Sequence, residues 1–179
     1  MEIAVIGWGS LIWNPGKLPL AGDWQTNGPK LPIEFARRSD DGRITLVITD
    51  GCDPVTTLWA RLNVPSIEEA VSELAAREKT SRQKIGRYPA ESPSVAPPQI
   101  IEWARQNGLD GAVWTNLGPR FGEGDDPPSL DEVLDYLSSL TPPESDLAEE
   151  YIRRAPRQIE TPYRQAIVNK FGWSSISKI

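Results

Sequence analysis

Histidine is absent from this 179-residue chain, and Cys52 is its one cysteine. Without an imidazole, Ser-His-Asp and Cys-His nucleophilic catalysis are excluded, and a single thiol leaves almost no way to build a zinc site. One cysteine makes no internal disulfide, so Cys52 reads as structural or incidental. Basic charge is also short. Nineteen Lys and Arg against 25 Asp and Glu give a net charge of −6 and a sequence pI near 4.8. A surface of that sign offers no field for phosphates, so neither nucleic acid nor an anionic membrane is an expected partner. No apolar run approaches membrane-spanning length, and Glu2 stands where a secretory leader would carry positive charge. A cytoplasmic protein is expected.

What is present begins with Ile3-Ala4-Val5-Ile6-Gly7-Trp8-Gly9-Ser10-Leu11-Ile12-Trp13. An apolar strand running into Gly-x-Gly has the outline of a dinucleotide-binding fold. The outline breaks down at once, because Ile12 occupies the third glycine position and Asn14-Pro15-Gly16 block the helix that would hold a pyrophosphate. A strand ending in a tight loop remains. Its amide N–H groups, approachable past Gly7 and Gly9, suit a carboxylate or a developing oxyanion. The same glycines also fit a simple turn.

A second signal lies in Pro65 to Glu78. Ser66 with Glu69 three residues on is a capping box, and Ile67, Ala70, Val71 and Leu74 recur at the spacing of one buried helical stripe. Eleven residues past Ile67 the helix has turned three times to within about 20° of the same direction, which puts Glu78 on that stripe. Glu68, Glu69 and Glu73 lie off it and read as solvated charges. A carboxylate aimed inward is partly desolvated and suited to general acid/base work. The competing reading is a structural salt bridge with Arg77, Arg82 or Arg87.

Elsewhere the first half reads as strands: Leu31 to Arg38 and Arg43 to Thr49 around the turn Asp40-Asp41-Gly42, then Val55 to Asn63. Arg37 and Arg38 point to opposite faces near the hairpin end, where one of them could meet a substrate carboxylate. Tyr88 to Pro98, rich in proline and serine, reads as a loop that could cover a pocket. A short helix from Pro98 to Asn107, stopped by Gly108, and a strand from Gly111 to Leu117 follow. The tail is helical. Ser129 and Glu132 form a second capping box before Leu130, Val133, Leu134 and Leu137, while Leu147, Tyr151 and Ile152 line another face. Thr161-Pro162 opens a last helix that ends at Gly172. Of the seven tryptophans, Trp24, Trp59, Trp103 and Trp173 read as anchors, and Trp8, beside the loop, is assigned to the site.

The run Gly7-Trp8-Gly9-Ser10-Leu11-Ile12-Trp13-Asn14-Pro15 resembles the Tyr-Gly-Ser-Leu-Ile-Trp-x-Pro opening of the ChaC-like branch of the gamma-glutamylcyclotransferases. Leu31 to Ser39, Arg43 to Asp50, Thr57 to Leu62 and Leu74-Ala75-Ala76-Arg77-Glu78-Lys79 are similar, in order and spacing, to that family's central strands and its Arg-Glu-Lys segment. The resemblance spans residues 1 to 90, with an echo in the strand from Gly111 to Asn116. It implies an α+β fold, a small mixed β-barrel flanked by helices, with a pocket between the opening loop and a catalytic glutamate. It further implies that the substrate's own α-amine attacks its γ-amide carbonyl, releasing 5-oxoproline and an amine. Trp8 stands where the family has tyrosine, keeping an aromatic wall and losing a hydroxyl. After about Asn116 the chain has no counterpart in the pattern.

These readings converge on one domain over residues 1–179, with 118–179 a helical extension packed on it. Glu78 is the expected catalytic residue, and Trp8, Gly9, Ser10 and Leu11 the expected binding residues. The expected partner is a small γ-glutamyl compound of the kind met in glutathione metabolism. No metal and no organic cofactor is expected, because the nucleophile belongs to the substrate. The alternatives are another small amide on the same fold, or a non-catalytic module that binds small molecules or regulates. Oligomeric state is not encoded in these features.

Overall fold

The computed structural model describes residues 1–90 and 96–179. The fold is α+β, with mixed sheets and five helices among the described residues. None of these helices is long and apolar enough to cross a membrane. The chain divides into two compact units, Met1–Leu31 with Thr56–Leu117, and Pro32–Val55 with Gly118–Ile179.

In the first unit a four-stranded sheet has the order β5 (Leu58–Leu62), β1 (Ile3–Gly7), β7 (Gly111–Thr115), β6 (Ile85–Tyr88). All five residues of β1 are buried, as a continuous apolar run demands of a strand covered on both faces. β1 and β7 are parallel, pairing Ile3 with Gly111 and Ile6 with Trp114, while β5 and β6 run antiparallel to them at the edges. Alternation sorts the side chains. Ile3, Val5, Ala60, Leu62, Ile85 and Val113 meet Ala70, Val71, Leu74 and Ala75 of helix α1 (Ile67–Glu78) in one core. Truncating a fully buried member such as Leu74 to alanine is expected to cost about 2–5 kcal/mol. Ile6, Trp59 and Trp114 belong to the other set, where Trp59 packs edge to face on Trp103 of helix α2 (Pro98–Gln106), ring centroids 5.3 Å apart. Both of these indole N–H groups donate to Asn27, Trp59 to its Oδ1 at 2.9 Å and Trp103 to its carbonyl at 3.0 Å. Gly86 is dictated by packing. A Cβ there would lie 2.1 Å from the Trp114 ring.

In the second unit β2 (Lys30–Arg38) is the centre of a three-stranded sheet, between β3 (Ile44–Ile48) and β4 (Pro54–Thr56). The hairpin turns as expected: Gly42 takes φ +85° and donates to the Ser39 carbonyl at 3.0 Å. The tail forms helices α3 (Leu130–Ser139), α4 (Glu144–Arg154) and α5 (Pro162–Phe171). Ser129 and Glu132 form the full reciprocal box, the Thr161 hydroxyl caps α5, and Gly172 closes it at φ +72°.

Three sequence expectations need correction. The strand expected over Val55 to Asn63 is two strands, β4 and β5, separated at Thr57. There the backbone turns to a different partner, Thr57 N–H and Oγ1 both donating to the Pro29 carbonyl while Gly28 N–H donates to Thr57 O. The strand expected to reach Leu117 ends at Thr115, after which Asn116 N–H bonds the Lys84 carbonyl. Leu147 is 38% exposed, and the buried face of α4 is carried instead by Ala148, Tyr151 and Ile152, which keep the three-and-four spacing. Of the expected loop from Tyr88 to Pro98, Tyr88 ends β6 and Pro98 begins α2, and residues 91–95 lie outside the described residues.

Candidate active site

The candidate site is assembled at the C-terminal ends of the parallel pair β1 and β7, the end of a parallel sheet where ligands are ordinarily bound. α1 begins at the opposite end, where Ile67 Cδ1 lies 3.0 Å from the Cβ position of Gly111, and runs back to deliver its last residues to the opening loop. Ser66 starts the helix as expected, its hydroxyl accepting the Glu69 N–H at 3.2 Å, but the expected capping box is only half made, with no return bond from the Glu69 side chain to Ser66 N–H among the described residues. Lys79 stops it, with φ 52° and ψ 43°, and is the only non-glycine residue with positive φ among the described residues. Lys79 N–H and Thr80 N–H return to the carbonyls of Ala76 and Ala75. This is a glycine-type helix closure with lysine in the left-handed seat, a conformation that disfavours a side chain by about 1–2 kcal/mol.

Glu78 is thereby the last helical residue, half-buried at 17% side-chain exposure. A carboxylate is disfavoured at a helix C-terminus by the macrodipole, so something must offset it. Arg77 does: its Nη1 donates to Glu78 Oε1 at 2.6 Å. The same guanidinium donates through Nε and Nη2 to the Asn14 carbonyl, at 3.1 and 2.6 Å, and through Nη2 to Ser10 Oγ at 3.2 Å. Arg77 thus ties the end of α1 to the loop that follows β1.

That loop is a pair of turns, with Ile12 N–H on the Gly9 carbonyl at 3.0 Å and Asn14 N–H on the Ser10 carbonyl at 2.9 Å. Neither bond uses the amides of Gly9, Ser10 or Leu11. Gly7 is small to admit its neighbours, since a Cβ would meet Ile12 Cδ1 at 2.9 Å and the Trp24 ring at 3.1 Å. Neither Gly7 nor Gly9 takes a positive φ; the glycine that does is Gly16, at +64°, beside the Arg77 stem. Ser10 is half-buried, Trp8 and Gly9 are buried, and the Leu11 side chain belongs to the α1 core, which leaves its backbone as the part that can serve a ligand.

The structure therefore brings Ser10 and Glu78 into one network through a residue that sequence reading treated only as a rival salt-bridge partner. Arg77 sits in plain view beside Glu78. Nothing in a helical projection, however, says that it reaches 63 residues back to Asn14. Arg37 and Arg38 are engaged within the second unit, Arg37 Nη1 on the Gly118 carbonyl at 2.9 Å and Arg38 over the Tyr136 ring at 4.7 Å. Among the described residues no three His, Cys, Asp or Glu side chains gather that could hold a metal ion. Chemically, the network offers a carboxylate with one oxygen paired to an arginine and, among the described residues, no hydrogen-bond partner on the other. Beside it lie a hydroxyl that accepts from an arginine and the turn of Gly9, Ser10 and Leu11. No model of a known protein family matches the chain, and no curated protein matches it.

Proposed function

We propose that this protein is a cofactor-independent cyclotransferase that converts a γ-glutamyl compound to 5-oxoproline and a free amine. The observation that carries the reading is the Arg77 junction, which ties a half-buried carboxylate to the loop that follows β1. The resemblance of the opening loop and of the Arg77-Glu78-Lys79 segment to the ChaC-like gamma-glutamylcyclotransferases supports it, and brings with it the family's small barrel as the proposed higher-order arrangement of the strands.

The chemistry follows from the parts. The Glu78 carboxylate takes a proton from the substrate's α-ammonium, and the freed amine attacks the γ-carbonyl carbon to close a five-membered ring. Negative charge develops on the carbonyl oxygen, where the amides of Gly9, Ser10 and Leu11 can receive it. Protonated Glu78 then returns its proton to the departing nitrogen as the C–N bond breaks, and the same carboxylate takes the surplus proton from the ring nitrogen and passes it to the released amine, which leaves as an ammonium. Atoms and charge balance with no outside reagent. Because nucleophile and electrophile share one molecule, the protein contributes mainly a folded-back substrate pose and a proton relay. The proposed setting is the cytoplasm, with a small solute as substrate.

The test is incubation of the purified protein with a panel of γ-glutamyl amino acids, peptides and amines, following 5-oxoproline by mass spectrometry. Equimolar 5-oxoproline and amine from at least one member is the expected result. Calorimetric binding without product would make the protein a binding module, and product from a simple amide lacking the α-amine would move it to another hydrolytic chemistry.

A further inference from the structure

Neighbouring residues of an α-helix point about 100° apart, so side chains at i and i+1 do not ordinarily meet. Arg77 and Glu78 nevertheless form a 2.6 Å ion pair. They are the last two residues of α1, and Lys79 beyond them turns the chain out of the helix with a left-handed backbone. The remaining nitrogens of Arg77 all face the opening loop, and its side chain is only 11% exposed. An arginine whose sole task was to balance a helix C-terminus would keep its head in water, since exposed dipole contacts of that kind are weak. This one is withdrawn from solvent and divided among a carboxylate, a hydroxyl and a carbonyl from two separate segments.

We propose, on the basis of the cyclotransferase reading above, that Arg77 is the positioning residue of the site, clamping the proton-carrying carboxylate and the oxyanion loop in one geometry. By occupying Oε1 it leaves Oε2 of Glu78 as the oxygen that carries the proton. By holding the Asn14 carbonyl from two nitrogens and Ser10 Oγ from one, it keeps the amides of Gly9, Ser10 and Leu11 aimed at the same substrate carbonyl. Ser10 Oγ accepts from Nη2, so its own hydrogen is directed elsewhere, as a donor free for a substrate oxygen. The planar fork is essential to this arrangement. A lysine ammonium is a point charge and cannot span a backbone carbonyl, a hydroxyl and a carboxylate in fixed directions.

The experiment compares wild type, Arg77→Ala, Arg77→Lys and Glu78→Gln. Arg77→Ala is expected to lower kcat by about 10- to 100-fold, the scale of a misaligned reacting geometry, with a smaller rise in KM. Added guanidinium at low millimolar concentration should restore part of that kcat, and methylammonium should not. Arg77→Lys should stay well below wild type despite its retained charge. A wild-type kcat in folded Arg77→Ala overturns the proposal, as does a loss that tracks thermal unfolding and is not rescued by guanidinium. If Arg77→Ala fails to fold, Arg77→Lys carries the test, and full activity there overturns the fork argument. Should wild type itself form no 5-oxoproline, the reaction assignment has failed, and the clamp is judged alone by amide exchange at Ile12 and Asn14. Exchange faster by about 10-fold or more in Arg77→Ala but not in Glu78→Gln supports it; equal rates in all three proteins overturn it.

Discussion

Two glutamates meet helix ends in opposite settings. Glu34, in the second unit, is 2% exposed and faces the N-terminus of α5. Its Oε1 accepts from Phe35 N–H at 2.8 Å and Thr161 Oγ1 at 2.5 Å, and its Oε2 from Tyr163 N–H at 3.3 Å. The helix dipole favours an anion there. Glu78, in the first unit, stands at a helix C-terminus, where the dipole opposes it, and among the described residues holds one hydrogen-bond partner, through Oε1. The arginines repeat the contrast. Buried Arg164 donates to the carbonyls of Ile152, Ala155, Pro156 and Ile159, all backbone groups about the end of α4. Arg77 instead connects a side-chain carboxylate and hydroxyl to a loop. Glu34 and Arg164 are bonded on several sides by the fold around them, whereas Glu78 is held by one arginine where the helix dipole opposes it, and the proposed function rests on that difference.

The largest effect that would break this division is on stability. Arg164→Leu removes the donors from four carbonyls in a buried place, where each unsatisfied group costs about 1–3 kcal/mol before relaxation. A loss of about 3–5 kcal/mol is expected, lowering Tm by roughly 10 °C for a chain of this size, with 5-oxoproline formation per folded molecule unchanged. Denaturant melts and active-site-normalised rates check both halves. A turnover defect without a stability defect would erase the distinction between the two arginines.

Next in size is the reverse case. Glu78→Gln preserves the shape of the side chain and removes its capacity to carry a proton, so kcat should fall by about 10²-fold or more while Tm stays near wild type. Glu73→Gln, on the same helix but off the stripe, is the control and should be silent. Full activity in Glu78→Gln would remove this residue from the chemistry. Unfolding of Glu78→Gln with Glu73→Gln intact would make Glu78 another charge of the Glu34 kind.

A subtler difference appears with pH. Burial raises the Glu34 pKa above the ordinary glutamate value, while the bonds from Thr161, Phe35 and Tyr163 pull it back. Since the folded value is the higher one, the stability linked to this group is complete below the unfolded pKa and is lost as pH rises through the folded one. Wild type measured against Glu34→Gln should therefore be relatively most stable in acid and lose ground as pH climbs out of the glutamate range toward neutrality. Urea titrations of both proteins from about pH 4 to about pH 8 report that difference. A flat difference, or one of opposite slope, would show that the hydrogen bonds outweigh desolvation.

How much of this could be read in the sequence depended on the range of the interaction. The start of α1 at Ser66, the box at Ser129 and Glu132, the Gly42 turn and the Thr161 and Gly172 ends of α5 were all legible, because each is settled within four or five residues by backbone chemistry. The ion pair of Glu78 with Arg77 was legible only as one of two competing readings of the helix end. Illegible were the contacts that need the tertiary fold: the reach of Arg77 to Asn14, the packing of Trp114 on Gly86, and the break at Thr57, where a polar residue inside an apparent strand leaves the ladder to bond Pro29. Glu34 looked like any alternating strand residue. Its burial depends on Thr161, which lies 127 positions away.

The smallest expected effect is the one that sharpens the site most. Ser10→Ala deletes one acceptor of Arg77 Nη2, at 3.2 Å, and leaves the shorter Asn14 bond from the same nitrogen at 2.6 Å. Water can replace the hydroxyl at a half-buried position, so stability should change by no more than about 0.5–1 kcal/mol. If the hydroxyl's hydrogen is a donor to the substrate, KM should rise about 2- to 5-fold with kcat largely kept, because a contact made equally in the ground and transition states alters binding and not turnover. A fall in kcat as deep as that of Glu78→Gln would instead put the Ser10 hydroxyl on the developing oxyanion. No change in either constant would leave substrate binding to the backbone amides of the turn, and would reduce Ser10 to a rest for Arg77.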